Sequence, residues 1–129
     1  MCIFCKIANH EIPSKVVYED NKYLAFLDLS QTTKGHTLVI PKKHSNNIFE
    51  LDDENSDIMG VVKVVANKLK KSLNPIGLNI ISNNQKPLQS VEHFHIHLIP
   101  RYDNDGFDIG FTDNSEKVDL DKILSEINK

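Results

Sequence analysis

Cysteine is scarce in this chain. Only Cys2 and Cys5 occur among the 129 residues, so no set of bridges can staple the fold. A pair this close does not act as a structural disulfide in a reducing compartment. Glycine and proline number five each, and no repeat, low-complexity tract or linker is visible, which is the composition of an ordinary globular chain. No apolar run approaches the roughly 20 residues that span a bilayer, so no membrane partner is expected. Positive charge is not in excess either: 15 Lys and Arg against 18 Asp and Glu leave a net charge of −3 and a pI near 6.0. Nucleic-acid-binding domains usually carry a basic face and a pI above about 9, so nucleic acid is not an expected partner. Any phosphate site must be assembled locally from a few donors. The opening "MCIFCKIANH" has no charged leader followed by an apolar stretch and a small-residue cleavage site, and a cytoplasmic location is the expectation.

What is present reads as one domain over residues 1–129, long enough to bury a core. "KVVYED" (15–20) and "KYLAFLDLS" (22–30) are β-rich runs separated by Asp20-Asn21, a turn pair, and predict a hairpin. "HTLVIP" (36–41) predicts a third strand, entered through Gly35 and closed by Pro41. Ile58, Val61, Val62, Val65, Leu69 and Leu73 fall at three- and four-residue steps, the stripe of one long helix. Asp52, Asp53 and Glu54 suit its N-terminus, Lys68, Lys70 and Lys71 its C-terminus, and Pro75 and Gly77 end it. "GLNIIS" (77–82) and "HFHIHLIP" (93–100) predict strands four and five, and an amphipathic helix is expected near 119–128. Strands on both sides of one major helix, without βαβ alternation, indicate an α+β fold: an antiparallel five-stranded sheet packed by one long helix, with short terminal helices.

"HFHIHLIP" holds three of the six histidines. Alternation sends His93, His95 and His97 to one face of the strand and Phe94, Ile96 and Leu98 to the other, toward the helix. A solvent-facing strand explains a single histidine well and three in register poorly, because histidine has no special strand preference. A metal cage is the rival. At about 3.3 Å per residue, His93 and His97 start roughly 13 Å apart, too far to share one ion from a regular strand. That spacing suggests two jobs: one terminal histidine for a metal, the other two for a more extended ligand such as a phosphate.

The motif His-apolar-His-apolar-His-apolar-apolar resembles the signature of the histidine-triad (HIT) family of nucleotide hydrolases and transferases. "IFCKI", "EIPSKVVYED", "LAFLDLS", "GHTLVIPKKH", "GLNIISN" and "QSVEHFHIHLIPR" agree in order and spacing over residues 2–101, leaving 102–129 as a tail. The "IPR" continuation resembles the bacterial branch near the diadenosine-polyphosphate hydrolases. The resemblance implies His95 as nucleophile on the α-phosphorus, His97 on the phosphoryl oxygens, His36 as a further histidine beside the site, and Ser90 assisting the leaving group. It implies Asp28 on the ribose hydroxyls, Asn83 and Gln89 on the phosphate side, and Ile12, Phe26 and Leu29 around a purine base, with Ile3 and Phe4 as further candidates. Relatives often carry Gly-Gly or Ala-Gly before Gln-Ser, where this chain has Pro87-Leu88. A homodimer, through the long helix and a strand edge, is implied as well.

Cys2-x-x-Cys5 has three readings: a redox pair, though without the strand-then-helix context of a thioredoxin motif; two incidental thiols; or half of a tetrahedral zinc site. The resemblance favours the last, with His44 and His93 completing a structural site that leaves no open position for catalysis. His10 reads as a surface residue. The leading functional expectation is a hydrolase of nucleoside phosphoramidates or (di)nucleoside polyphosphates that releases a nucleoside monophosphate. Its competitors are a nucleotide-binding regulatory or protein-interaction module, and a domain in which zinc is purely structural and no nucleotide binds.

Overall fold

The computed structural model describes residues 2–129. Five strands run β1 (Val16–Glu19), β2 (Tyr23–Leu27), β3 (Thr37–Pro41), β4 (Gly77–Ile81) and β5 (Ile96–Arg101). They form one antiparallel sheet in the order β1-β2-β3-β5-β4. Helix α1 (Ile3–Ala8) precedes the sheet, α2 (Ile58–Leu73) lies between β3 and β4, and α3 (Leu120–Ile127) closes the chain. The α+β expectation holds.

Both faces of the sheet are covered, which is why β2 and β3 are buried along almost their whole length instead of alternating. On one face Tyr23, Ala25, Val39, Phe94, Ile96 and Leu98 meet the α2 stripe of Ile58, Val61, Val62, Val65 and Leu69. Each fully buried aliphatic side chain there contributes about 1.5–3 kcal/mol, more than helix propensity supplies, so packing decides where α2 forms. On the other face Leu24, Phe26, Leu38 and Ile40 meet Phe4, Ile7 and Ala8 of α1. Gly35, at φ +92°, holds a conformation strained for any other residue, and a Cβ there would sit 2.5 Å from Leu73 Cδ1 and push it aside. Among the described residues no helix is long and apolar enough to cross a membrane.

Two local expectations are corrected. The fifth strand begins at Ile96, so His93 and His95 precede it and only His97 lies in the ladder. The ladder to β3 starts at Ile96 opposite Val39, and ahead of it the Phe94 N–H leaves that register to bond the Ser45 carbonyl at 2.7 Å. Asp52, Asp53 and Glu54 do not open the long helix: Asp52 caps a separate 3-10 turn over Asp53–Asn55, and α2 starts after Asp57. That helix ends at Asn74, in the left-handed conformation that closes a helix C-terminus, one residue before Pro75. The expected tail helix forms, yet Leu120, Leu124 and Ile127 remain exposed and only Ile123 is partly buried.

Candidate functional site

Where α1 meets the ends of β2 and β5, a cavity of about 550 Å³ opens. Apolar Ile3, Phe4, Ile12, Phe26 and Leu29 line it together with Asp28, Ser90, His95 and His97. Phe4 sets its ring edge-on to His95, 5.1 Å between centroids, so the short first helix shapes the pocket as well as covering the sheet. Ser14 Oγ, a buried side-chain oxygen without a hydrogen-bond partner, belongs to a residue of the same lining.

Backbone partners decide the proton on each ring. The His95 Nδ1–H donates to the His93 carbonyl at 2.7 Å, which leaves Nε2 with the free lone pair. His36 Nδ1 accepts the Thr32 N–H at 3.2 Å, so its Nε2–H donates to His97 Nδ1 at 2.9 Å. His97 therefore carries its own proton on Nε2. One imidazole offers a lone pair and its neighbour a donor, the pair of roles that attack on a phosphoryl group requires.

Burial keeps these rings neutral. It lowers His95 below the ordinary imidazole value, and it lowers His97 to about 4, with His95 and His36 also opposing a charge there. Burial lowers His36 too, against the pull of Asp28. For Asp28, burial acts to raise the pKa, but the Ser30 N–H and hydroxyl, at 2.9 and 2.7 Å from Oδ1, outweigh it together with His36 and His97. That carboxylate is held below its usual range, ionised and able to accept hydrogen bonds.

A second cluster sits beside the cavity. The ligand atoms of Cys2, Cys5, His44 and His93 all lie within 4.8 Å of one another. His93 Nδ1 is 3.3 Å from Cys2 Sγ, 3.5 Å from Cys5 Sγ and 3.1 Å from His44 Nδ1, and Cys5 Sγ is 3.3 Å from His44 Nδ1. Tetrahedral bonds of the usual zinc lengths put donors about 3.3–3.8 Å apart, so the set fits a four-coordinate ion. The outer nitrogens agree: the His93 Nε2–H donates to the Pro41 carbonyl and the His44 Nε2–H to Asn46 Oδ1, both at 2.7 Å. Each Nδ1 is thereby left as a lone pair facing the thiols. Burial raises the Cys5 thiol to about 11, helped by Cys2; a bound cation reverses that, because coordination deprotonates a thiol. Asp28, His36 and His97 also cluster, but with the Thr32 N–H on Nδ1 the His36 ring carries its proton on the nitrogen that faces the other two and offers them no lone pair.

The sequence profile of the HIT domain matches residues 9–104. The chain belongs to the HIT family. A crystal structure of a HIT family member from Bacillus subtilis superposes with a TM-score of 0.93 at 46% identity, over 98% of this chain and 94% of that one. The adenosine 5′-monophosphoramidase of Schizosaccharomyces pombe is 42% identical over 97% of this chain and 93% of its own. A zinc-bound histidine triad family protein from Mycobacterium smegmatis superposes with a TM-score of 0.76 at 34% identity, covering 90% of this chain and 86% of that one.

Within this HIT domain Ile12, Phe26, Leu29, Asp28, Ser90, His95 and His97 line one cavity, with His36 buried directly behind His97, while His93 belongs to the cysteine cluster. Asn83 and Gln89 stand outside the cavity lining. Gln89 is 3% exposed, and its amide is committed to the loop: Nε2 donates to the Asn46 carbonyl at 2.6 Å and Oε1 accepts the Gln85 N–H at 2.9 Å. It braces the turn that presents Ser90. His10 is exposed and pairs with Glu19 at 2.7 Å. Two partners escaped sequence reading, the Thr32 N–H and the Pro41 carbonyl, because a backbone group leaves no compositional trace.

Proposed function

We propose that this protein is a nucleotide hydrolase that cleaves nucleoside phosphoramidates or (di)nucleoside polyphosphates at the α-phosphorus and releases a nucleoside monophosphate. The observation that carries the reading is the His95 ring, tied through Nδ1–H to the His93 carbonyl and lining the cavity with Nε2 free. Kinship to a yeast monophosphoramidase supports the same chemistry.

His95 Nε2 attacks phosphorus, forming an N–P bond as the P–N or P–O bond to the leaving group breaks. The Ser90 hydroxyl helps deliver the proton that the departing amine or phosphate takes up; assistance of this kind is worth about 10²- to 10⁴-fold. The His97 Nε2–H donates to the oxygen on which negative charge grows. Water then attacks phosphorus and passes a proton back to the Ser90 oxygen that gave one up, the N–P electrons return to Nε2, and the monophosphate leaves. Asp28 accepts both ribose hydroxyls, and Ile12, Phe26 and Leu29 enclose a purine base.

Zinc at Cys2, Cys5, His44 and His93 acts structurally, since four protein ligands leave no open position. A reducing, cytoplasmic setting keeps both thiols available for it. A second copy of the chain covers the free edge of β4, where Ile76 is 71% and Ile80 48% exposed; a dimer mass in solution is expected, and a monomer at micromolar concentration would contradict this.

The direct test is incubation with an adenosine phosphoramidate and a diadenosine polyphosphate. AMP release from either supports the hydrolase. Binding without any AMP would leave a regulatory nucleotide-binding module instead. The pH profile is a second check. His95 and His97 both titrate below the free imidazole value of 6.5, His97 near 4, so the neutral forms needed for attack persist through mild acid. The acid limb of kcat/KM is expected below pH 6.5, with no loss between pH 8 and 6.5; a limb centred at 7 would argue against neutral, buried rings.

A further inference from the structure

We infer that Gln31 is a positioning residue that sets the spacing between the sugar-binding carboxylate and the histidine relay, and so governs selectivity for ribose over 2′-deoxyribose. This rests on the proposed role of Asp28 as acceptor of the sugar hydroxyls.

Asp28 and His36 sit at the two ends of a loop joining β2 to β3. Gln31 reaches across its interior with both amide hydrogens and its carbonyl oxygen engaged. Its Nε2 donates to the Asp28 carbonyl at 2.6 Å and to the His36 carbonyl at 2.8 Å, and its Oε1 accepts the Gly35 N–H at 2.8 Å. Because every partner is a backbone group, the amide orientation is unambiguous. Gln31 itself is held at φ 40°, a left-handed conformation that a non-glycine residue keeps only where surrounding contacts enforce it.

The side chain thus ties the main chain of Asp28 to that of His36. His36 in turn decides which nitrogen of His97 carries the proton. The Asp28 N–H bonds the His36 carbonyl directly at 3.0 Å, and Gln31 is the one described side chain that adds to that single link by holding both carbonyls from inside the loop. Loss of the tie leaves the Asp28 carbonyl only the Gln31 N–H, at 3.3 Å, and the His36 carbonyl only the Asp28 N–H, at 3.0 Å, and it loosens the loop that carries the carboxylate and Ser30, its other anchor. Misplacement by about 1 Å can cost 100-fold in a reaction that depends on alignment.

The test is Gln31→Met, which keeps length and removes all three hydrogen bonds. AMP and 2′-deoxy-AMP affinities are measured by calorimetry, and kcat and KM with an adenosine phosphoramidate. In the variant, the AMP over 2′-deoxy-AMP preference is expected to fall about tenfold and kcat to fall about tenfold. A merely structural role would lower the melting temperature and leave the preference intact; that result overturns the inference. So does a wild-type protein that binds the two nucleotides equally. If the wild type prefers AMP but hydrolyses nothing, the hydrolase reading fails while the affinity ratio still decides the role of Gln31. Should Gln31→Met not fold, Gln31→Asn, too short to reach both carbonyls, is read the same way.

Discussion

Replacing His95 with asparagine is expected to abolish turnover, by about 10⁴-fold or more, while nucleotide affinity stays within a few-fold. Asparagine can still donate to the His93 carbonyl from its amide, so the local backbone keeps its partner, but the nucleophilic lone pair is gone. The surrounding apolar lining and Asp28 are untouched, and they supply the binding. Single-turnover kinetics with an adenosine phosphoramidate, and mass spectrometry of the quenched wild-type protein for a nucleotidyl adduct, check this. Appreciable residual turnover in the variant would remove His95 from the role of nucleophile. An adduct located on another side chain would do the same.

The second large effect concerns the metal. Purified protein is expected to hold about one zinc per chain, and Cys2→Ser to lose it. A ligand that binds only the folded state stabilises it by about 4.1 kcal/mol when present at 1,000 times its Kd. For a chain of this size, loss of that contribution lowers the melting temperature by about 10 °C or more. The chemical step should fall less than stability does, because the variant removes no group that meets the substrate. Some loss is nevertheless expected, since His93 joins the two centres. Its Nδ1 faces the thiols, its Nε2–H holds the Pro41 carbonyl, and its own carbonyl holds the His95 Nδ1–H. Elemental analysis finding no metal, or a Cys2→Ser variant melting with the wild type, would end the zinc assignment.

The rest of the tail has less to constrain it. Arg101 bonds Asp105 at 2.8 Å and Asn79 at 2.7 Å, and donates to the Phe107 carbonyl, which fastens the chain just past β5. Beyond that point Leu120, Leu124 and Ile127 of α3 are exposed.

Local pattern was enough to reveal much of this protein. The stripe from Ile58 to Leu73 announces α2 because helical periodicity repeats every 3.6 residues whatever surrounds it. Spacing suggests two jobs for the three histidines, and the family resemblance suggests which of them lies with the cysteines; in the structure His93 lies among Cys2, Cys5 and His44 while His95 and His97 line the cavity. Sequence pattern failed where distant backbone intervened. The Ser45 carbonyl draws Phe94 out of the β3 ladder, so two of the three histidines lie ahead of the strand that their alternation suggested. The proton on each ring depends on partners far along the chain, such as the Pro41 carbonyl 52 residues before His93. Residue identities prescribe which side chains are available for chemistry. Only packing brings a particular carbonyl or N–H within about 3 Å of a ring nitrogen, and that contact decides which nitrogen carries the proton and which keeps its lone pair.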